Sequence, residues 1–218
     1  MALKHFSLKM KKTQRTKPTF EYESALWAQG MQHIAGIDEV GRGCFAGPVV
    51  TAAVILSKDF SACGEVNDSK VLTAKKRKEL SEIITKEAVA YAIAEISVEI
   101  INNVGIGKAT QKAFQKAIKD LTIQPQFILI DAFYIENVDR KKQKPIVHGD
   151  GISISIAAAS IIAKVYRDEL MQQLHPQYKV YDFFTNKGYG TQKHRDAIGK
   201  YGLCDLHRKS FHLDKFLV

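Results

Sequence analysis

Four carboxylic acids stand where apolar runs give out. Asp38 and Glu39 close the run that starts at Ile34, Asp131 ends "FILID", and Asp150 sits in "HGDG". In open α/β sheets such strand ends cluster at one edge, where ligands bind. Carboxylates gathered there repel one another unless a cation sits between them, and hard divalent ions such as Mg²⁺ take oxygen ligands of this type. One ion, or two about 3.5–4 Å apart, would activate water and stabilise the leaving oxygen of a phosphodiester. Taken singly, each acid reads as well as a solvated strand end or turn.

The charge balance points to the same chemistry. Lys and Arg number 32 against 23 Asp and Glu, a net +9, which favours a polyanion such as nucleic acid, or an acidic membrane surface. A basic face would then hold the polyanion while the acids hold the metal that cuts it. Cys44, Cys63 and Cys204 are odd in number and widely spaced, with no CxxC, and the seven histidines show no HExxH spacing. That composition argues against a zinc site or a disulfide framework and fits a reduced setting. The N-terminus lacks the apolar core of a secretory signal, and no uncharged run is long enough to span a bilayer. The expectation is a soluble, cytoplasmic monomer.

The elements that would position the acids follow from pattern. Residues 1–19, within a stretch rich in Lys and Arg and free of acids, read as a flexible basic arm, and residues 20–218 as one domain. "FEYESALWAQG" suits a short helix stopped by glycine. Ile34–Asp38 and Pro48–Leu56 read as strands, the second apolar enough for a sheet covered on both faces. Thr73 is a natural N-cap for a helix whose stripe is Leu80, Ile83 and Ile84. "VAYAIAEISV" alternates as a third strand, and a helix starts near Gly105. "PQFILIDAF" is a buried strand, Ile146 and Val147 form a last short one, and "SISIAAASIIAKVYRDELMQQL" is a mostly buried helix in which Ser160 serves packing. From about Thr191 the chain is helical and basic. This order predicts an α/β or α+β structure with a central mixed sheet.

One difficulty concerns the adjacent acids. Neighbours in a regular strand point to opposite faces, so Asp38 and Glu39 would share an ion only where the strand loses regularity. Gly41 and Gly43 just beyond offer that freedom.

"GIDEVGRGCFAGPVV" closely resembles the first signature of the bacterial ribonuclease HII family, G-[IV]-D-E-[AV]-G-R-G-x-x-x-G-P-V. Further matches follow in the family's order: "DSK" at Asp68–Lys70, "LIDAF" around Asp131, "HGDGISISIAAASIIAKVYRD" from His148, "KGYGT" at Lys187–Thr191, and "HRKSF" at His207–Phe211. They extend over about residues 20–214.

The resemblance implies an RNase H-like α/β fold, with a five-stranded mixed sheet flanked by helices and a helical C-terminal part that grips substrate. It implies cleavage of RNA in RNA/DNA hybrids and at single ribonucleotides in duplex DNA, with Mg²⁺ or Mn²⁺ as cofactor. The family's metal-binding, catalytic acids fall on Asp38, Glu39, Asp131 and Asp150. Its ribose-sensing motif falls on Gly41, Arg42 and Gly43, its sugar-stacking tyrosine on Tyr189, and a phosphate-contacting lysine on Lys70. His148 and Asn186 depart from the family's usual Lys and His. The arm is too short for the larger N-terminal domain of the ribonuclease HIII family. Two other readings stay open: another RNase H-like nuclease such as a junction resolvase, and a basic binding module whose acids are structural.

Overall fold

Residues with no polar atoms to offer make the centre of the sheet. In a computed structural model that describes residues 17–217, the apolar run Val49–Ile55 forms β2, buried at every position. β2 pairs antiparallel with β1 (Ile34–Val40) on one side and β3 (Ala90–Ile96) on the other. β1 pairs parallel with β4 (Phe127–Asp131), and β4 parallel with β5 (Gln143–Ile146). The order β3-β2-β1-β4-β5 is the expected five-stranded mixed sheet. In β3, Tyr91 and Glu95 face solvent while Ala90, Ala92, Ala94 and Ile96 face the core, as alternation predicts.

The described residues hold six α-helices: α1 (Glu21–Trp27), α2 (Ala74–Glu87), α3 (Val98–Lys119), α4 (Ile154–Leu174), α5 (Phe183–Asn186) and α6 (Gln192–Tyr201). α3 covers one face against β2 and β3, and α4 covers the other against β1 and β2, with α2 behind it. Thr73 caps α2 as expected, its hydroxyl accepting from the Lys76 amide at 3.2 Å. No helix of the described residues is long and apolar enough to cross a membrane.

α4 approaches β1 more closely than side chains would allow. Its first turns are buried all round, with Ala157, Ala158, Ala159 and Ala163 among the larger Ile154, Ile156, Ile161 and Ile162, and opposite its first turn lies Gly36. A Cβ on Gly36 would stand 2.0 Å from the Ser155 carbonyl carbon. The helix start is pinned by Glu23 of α1, a fully buried carboxylate that accepts from the Ser153 hydroxyl at 2.6 Å and the Ser155 amide at 3.0 Å. A negative group there satisfies orphan amides and complements the helix dipole.

The structure departs from the sequence expectations in four places. β1 does not end at Asp38 but runs on to Val40. The third strand stops at Ile96 because Ser97 caps a helix, its hydroxyl accepting from the Ile100 amide; α3 therefore starts seven residues before Gly105, which survives inside it as a break at φ 78°. β5 is Gln143–Ile146, leaving Val147 exposed. Its polar first residue is buried because the Gln143 amide donates to the Ile135 and Val138 carbonyls. After α6 the C-terminal part is not helix throughout but two short 3₁₀ turns, Lys209–Phe211 and Leu213–Phe216.

Residues 1–16 of the expected arm lie outside the described residues. Thr19 is bridged to Ser153, and the Lys17 ammonium donates to the Gly64 carbonyl at 3.3 Å.

Gly36→Ala should destabilise the fold by about 3 kcal/mol or more, because the added methyl meets helix backbone that cannot step aside. Urea unfolding of the two proteins measures it, and a loss under about 1 kcal/mol would show that α4 can shift off the sheet.

Candidate active site

The register of the sheet decides where the acids meet. Parallel pairing of β1 with β4 ends at Ile37 opposite Ile130, so the next residues, Asp38 and Asp131, leave the two central strands side by side. Asp150 arrives from the short turn Gly149–Gly151 before α4, and the Gly149 amide donates to Asp131 Oδ1 at 2.7 Å. Asp38 and Asp150 are both about 5% exposed.

Glu39 follows Asp38 within regular structure. The two pair with Ala52 and Thr51 of β2 in unbroken register, so the expected loss of strand regularity at the pair does not occur. Past Ile37, however, β1 has no partner on its β4 side. Asp38 Oδ1 accepts from the Glu39 amide at 2.7 Å, a local bond that a ladder amide would not make.

The carboxyls feel one another. Burial, and then the charge of Glu39, hold the Asp38 carboxyl well above the usual range; Asp131 and Asp150 push the same way, and only the Ser160 hydroxyl opposes. Burial lifts Glu39 to about 7 against the pull of Arg42, with Asp131 adding to the rise. Asp131 is raised too, by burial and by Asp150, against the Gly149 hydrogen bond. Acids so placed are short of positive charge. Among the described residues no three carboxylate, imidazole or thiol groups already close into a coordination shell. Instead the Lys70 ammonium sits on Asp150 Oδ2 at 2.7 Å, with Asp68 at 3.9 Å. Burial lowers the Lys70 pKa, but the bond to Asp150 and its charge outweigh burial and raise it. A crowded set of oxygen donors that draws in an ammonium fits a hard divalent cation.

Lys70 is thus found on an acid. Its side chain is nevertheless 73% exposed. Ser69 beside it is buried and shares a 2.9 Å hydrogen bond with Ser160 of α4. Ser160, expected only to pack, therefore ties the Asp68–Lys70 loop to the acid strand. An isolated Ser in an alanine-rich helix carries no signal of that role.

Above the acids runs the loop Gly41–Gly47. Gly41 has φ 86°, and a Cβ there would strike the Arg167 guanidinium at 2.1 Å, so the fold itself demands glycine. Gly43 is different. It is exposed, with a φ open to any residue and nothing within 4 Å of a Cβ. Arg42 lies over the Phe133 ring at 4.5 Å.

Two fully buried arginines hold this loop from behind. Arg167 of α4 donates to the Ala46, Pro48 and Lys187 carbonyls at 2.8–3.0 Å, and Arg208 donates to those of Arg42 and Gly47 at 2.9 Å. Neither was singled out in the sequence, where an arginine among surface-like neighbours looks solvated.

Tyr189, 38% exposed, stands at the loop's other side. Burial of its hydroxyl, with the thiol of Cys44 nearby, pushes its pKa up to about 12. Asn186 shapes its turn: the amide donates to the Tyr181 carbonyl at 2.6 Å, and its oxygen accepts from the Gly188 amide at 2.7 Å. His148 adopts φ 58°, and its charge lowers Asp131.

Comparison with known proteins agrees with this geometry. The family model for ribonuclease HII matches residues 35–214. A ribonuclease HII of Caldanaerobacter subterraneus subsp. tengcongensis is 47% identical over 190 residues, covering 87% of this chain and 78% of that protein. The structure of ribonuclease H2 from Pyrococcus horikoshii OT3 shares the fold at a TM-score of 0.69, with 24% identity over 84% of this chain and 95% of that one. Bst-RNase HIII in complex with Mn²⁺ shares it at 0.67, with 23% identity over 88% and 72%. Matched across most of its length, the chain belongs to the ribonuclease HII family, and so is a ribonuclease H, a metal-dependent endonuclease.

Proposed function

We propose that this enzyme hydrolyses the RNA strand of RNA/DNA hybrids and cuts at single ribonucleotides embedded in duplex DNA. The observation that carries the reading is the cluster of Asp38, Glu39 and Asp131, whose carboxyls are raised by burial and by neighbouring acids, with Asp150 next to them, beside a glycine that packing does not require. The acids would hold two divalent ions, Mg²⁺ or Mn²⁺. Such ions supply an activated water nucleophile and charge stabilisation of the leaving 3′-oxygen, giving 5′-phosphate and 3′-hydroxyl ends. Bst-RNase HIII, of the same fold, is described with Mn²⁺.

The chain's other residues select and align the substrate. The bare surface of Gly43 lets backbone approach a ribose, and the 2′-hydroxyl is what distinguishes RNA from DNA. Gly41 gives the loop its turn, and the Arg42 guanidinium, resting on Phe133, faces the polyanion. Tyr189 offers an exposed ring on which a neighbouring sugar stacks, marking the junction of RNA with DNA. Lys70 neutralises Asp150 in the absence of divalent ions and turns to a substrate phosphate when they bind.

A labelled duplex with one ribonucleotide, incubated with and without Mg²⁺, tests the reading. Cleavage beside the ribonucleotide only with the ion, and none of an all-DNA duplex, is expected. Asp131→Asn should lower that cleavage by at least about a hundredfold while duplex binding survives, since one charged oxygen ligand is lost and size is kept. Wild-type rates in this variant would remove Asp131 from the site.

Gly43→Ala separates substrate contact from packing. Its melting temperature should stay within about 2 °C of the parent, yet cleavage at an embedded ribonucleotide should drop about tenfold or more. Unchanged cleavage would mean that the ribose is read elsewhere.

Glu39 also makes metal binding depend on pH. Its folded pKa is raised, so its contribution to stability is full below about pH 4.5 and lost as pH rises through about 7. Divalent ions favour the deprotonated carboxyl, and the rise in melting temperature on adding Mg²⁺ should therefore be larger at about pH 8 than at about pH 5.5. A rise independent of pH would exclude Glu39 from the ion site.

A further inference from the structure

Behind Tyr189, three segments distant in sequence are laced together. The Phe45 and Ala46 amides donate to the Gly188 carbonyl, the Gly47 amide to that of Leu206, and the Arg208 amide to that of Phe45. At the centre lie two fully buried imidazoles, His194 of α6 and His207 of the C-terminal segment, with their Nε2 atoms 3.0 Å apart. Their outer nitrogens are both tied to backbone. His194 Nδ1 meets the Tyr189 carbonyl at 2.9 Å, and His207 Nδ1 meets the Cys204 amide at 2.9 Å.

The partners assign the protons. A carbonyl only accepts, so His194 Nδ1 carries hydrogen; an amide only donates, so His207 Nδ1 is bare. Two neutral rings then leave one arrangement for the bond between them, His207 Nε2–H donating to His194 Nε2. The result is a directed chain from the Cys204 N–H through His207 and His194 to the carbonyl of Tyr189. An extra proton on either ring would break it, either by setting two N–H groups head to head or by removing the acceptor at Cys204.

The surroundings favour the neutral form. Tyr181 and Phe183 pack edge-on against the rings, and the Cys204 thiol lies 3.1 Å from His207 Nδ1, where it adds only a weak donor. Asp205 is the acid whose charge reaches His207. Burial lowers both imidazoles, and with the charge of its neighbour His207 is held down to about 4.

We propose that His194 and His207 are positioning residues, whose hydrogen-bond chain fixes the backbone of Tyr189 and thereby the pose of the ring that stacks on substrate. This rests on the reading of Tyr189 given above. Hydroxyl and ring of Tyr189 are not touched by the chain; its carbonyl is, together with the Thr191 amide at 2.8 Å.

A double-mutant cycle on the full-length enzyme tests the proposal. His207→Phe keeps an aromatic ring against Tyr181 but donates nothing to His194, whereas His207→Gln restores an N–H donor. On a duplex with one ribonucleotide, His207→Phe should lower kcat/KM about tenfold and His207→Gln should recover most of it. The His207→Phe, Tyr189→Ala double variant should be no slower than Tyr189→Ala alone. Losses that multiply would overturn the proposal and leave the role of Tyr189 standing. A fully active Tyr189→Ala enzyme would overturn both. Should His207→Phe fail to fold, ¹⁵N imidazole spectra of the wild type at neutral pH decide: hydrogen on Nδ1 of His194 and on Nε2 of His207 supports the chain, and the opposite tautomers or an imidazolium refute it.

Discussion

Four carboxyl groups are held together by backbone that cannot spread them apart. Asp38 and Asp131 sit at the ends of two hydrogen-bonded parallel strands, Glu39 is covalently next to Asp38, and Asp150 is tethered through the Gly149 amide to Asp131. Burial, and then their repulsion, raise the pKa values of Asp38, Glu39 and Asp131. The strain is tolerated because β1 and β2 are locked into the core by α4, whose approach rests on a missing side chain at Gly36 and on Glu23 at the helix start. An acid cluster of this kind binds a cation more strongly than one free to relax.

The positive charge of the interior is kept away from these acids. Arg167 and Arg208 are buried and, among the described residues, have no carboxylate partner; they spend their donors on carbonyls of the Gly41–Pro48 loop and of Lys187. Hydrogen bonds from a charged group to carbonyls make the loop rigid without neutralising the acids. Among the described residues only Lys70, on an exposed stem, forms an ion pair with Asp150.

Two loops beside the acids touch directly, through the Phe45 and Ala46 amides on the Gly188 carbonyl, and share a third segment. The Gly41–Gly47 loop and the Lys187–Thr191 turn are both fastened to the segment Cys204–Phe211, by Arg208 on one side and by His207 on the other. Residues adjacent in sequence thus serve different loops, which couples the position of Gly43 to that of Tyr189.

Much of this was legible in the chain itself. The four acids follow apolar runs, the ordered motifs mark the family, and period-two and period-3.6 patterns located most strands and helices, because burial of a face leaves its period in the residues. Local chemistry outran pattern at Ser97, where one hydroxyl converted the tail of an apparent strand into a helix cap, and at Gln143, whose amide made a polar residue at home in the interior. What the sequence could not carry were pairings between distant residues: Ser160 with Ser69, Glu23 with Ser155, His194 with His207, the two arginines with carbonyls. A hydrogen bond between residues far apart in the chain, whether to backbone or to a side chain, has no period, so it leaves no pattern to read. Residue type by itself determined which groups could bind metal or stack on a sugar; register and helix approach, which are properties of the assembled sheet, decided that the acids share one field and that a buried imidazole pair stands behind Tyr189.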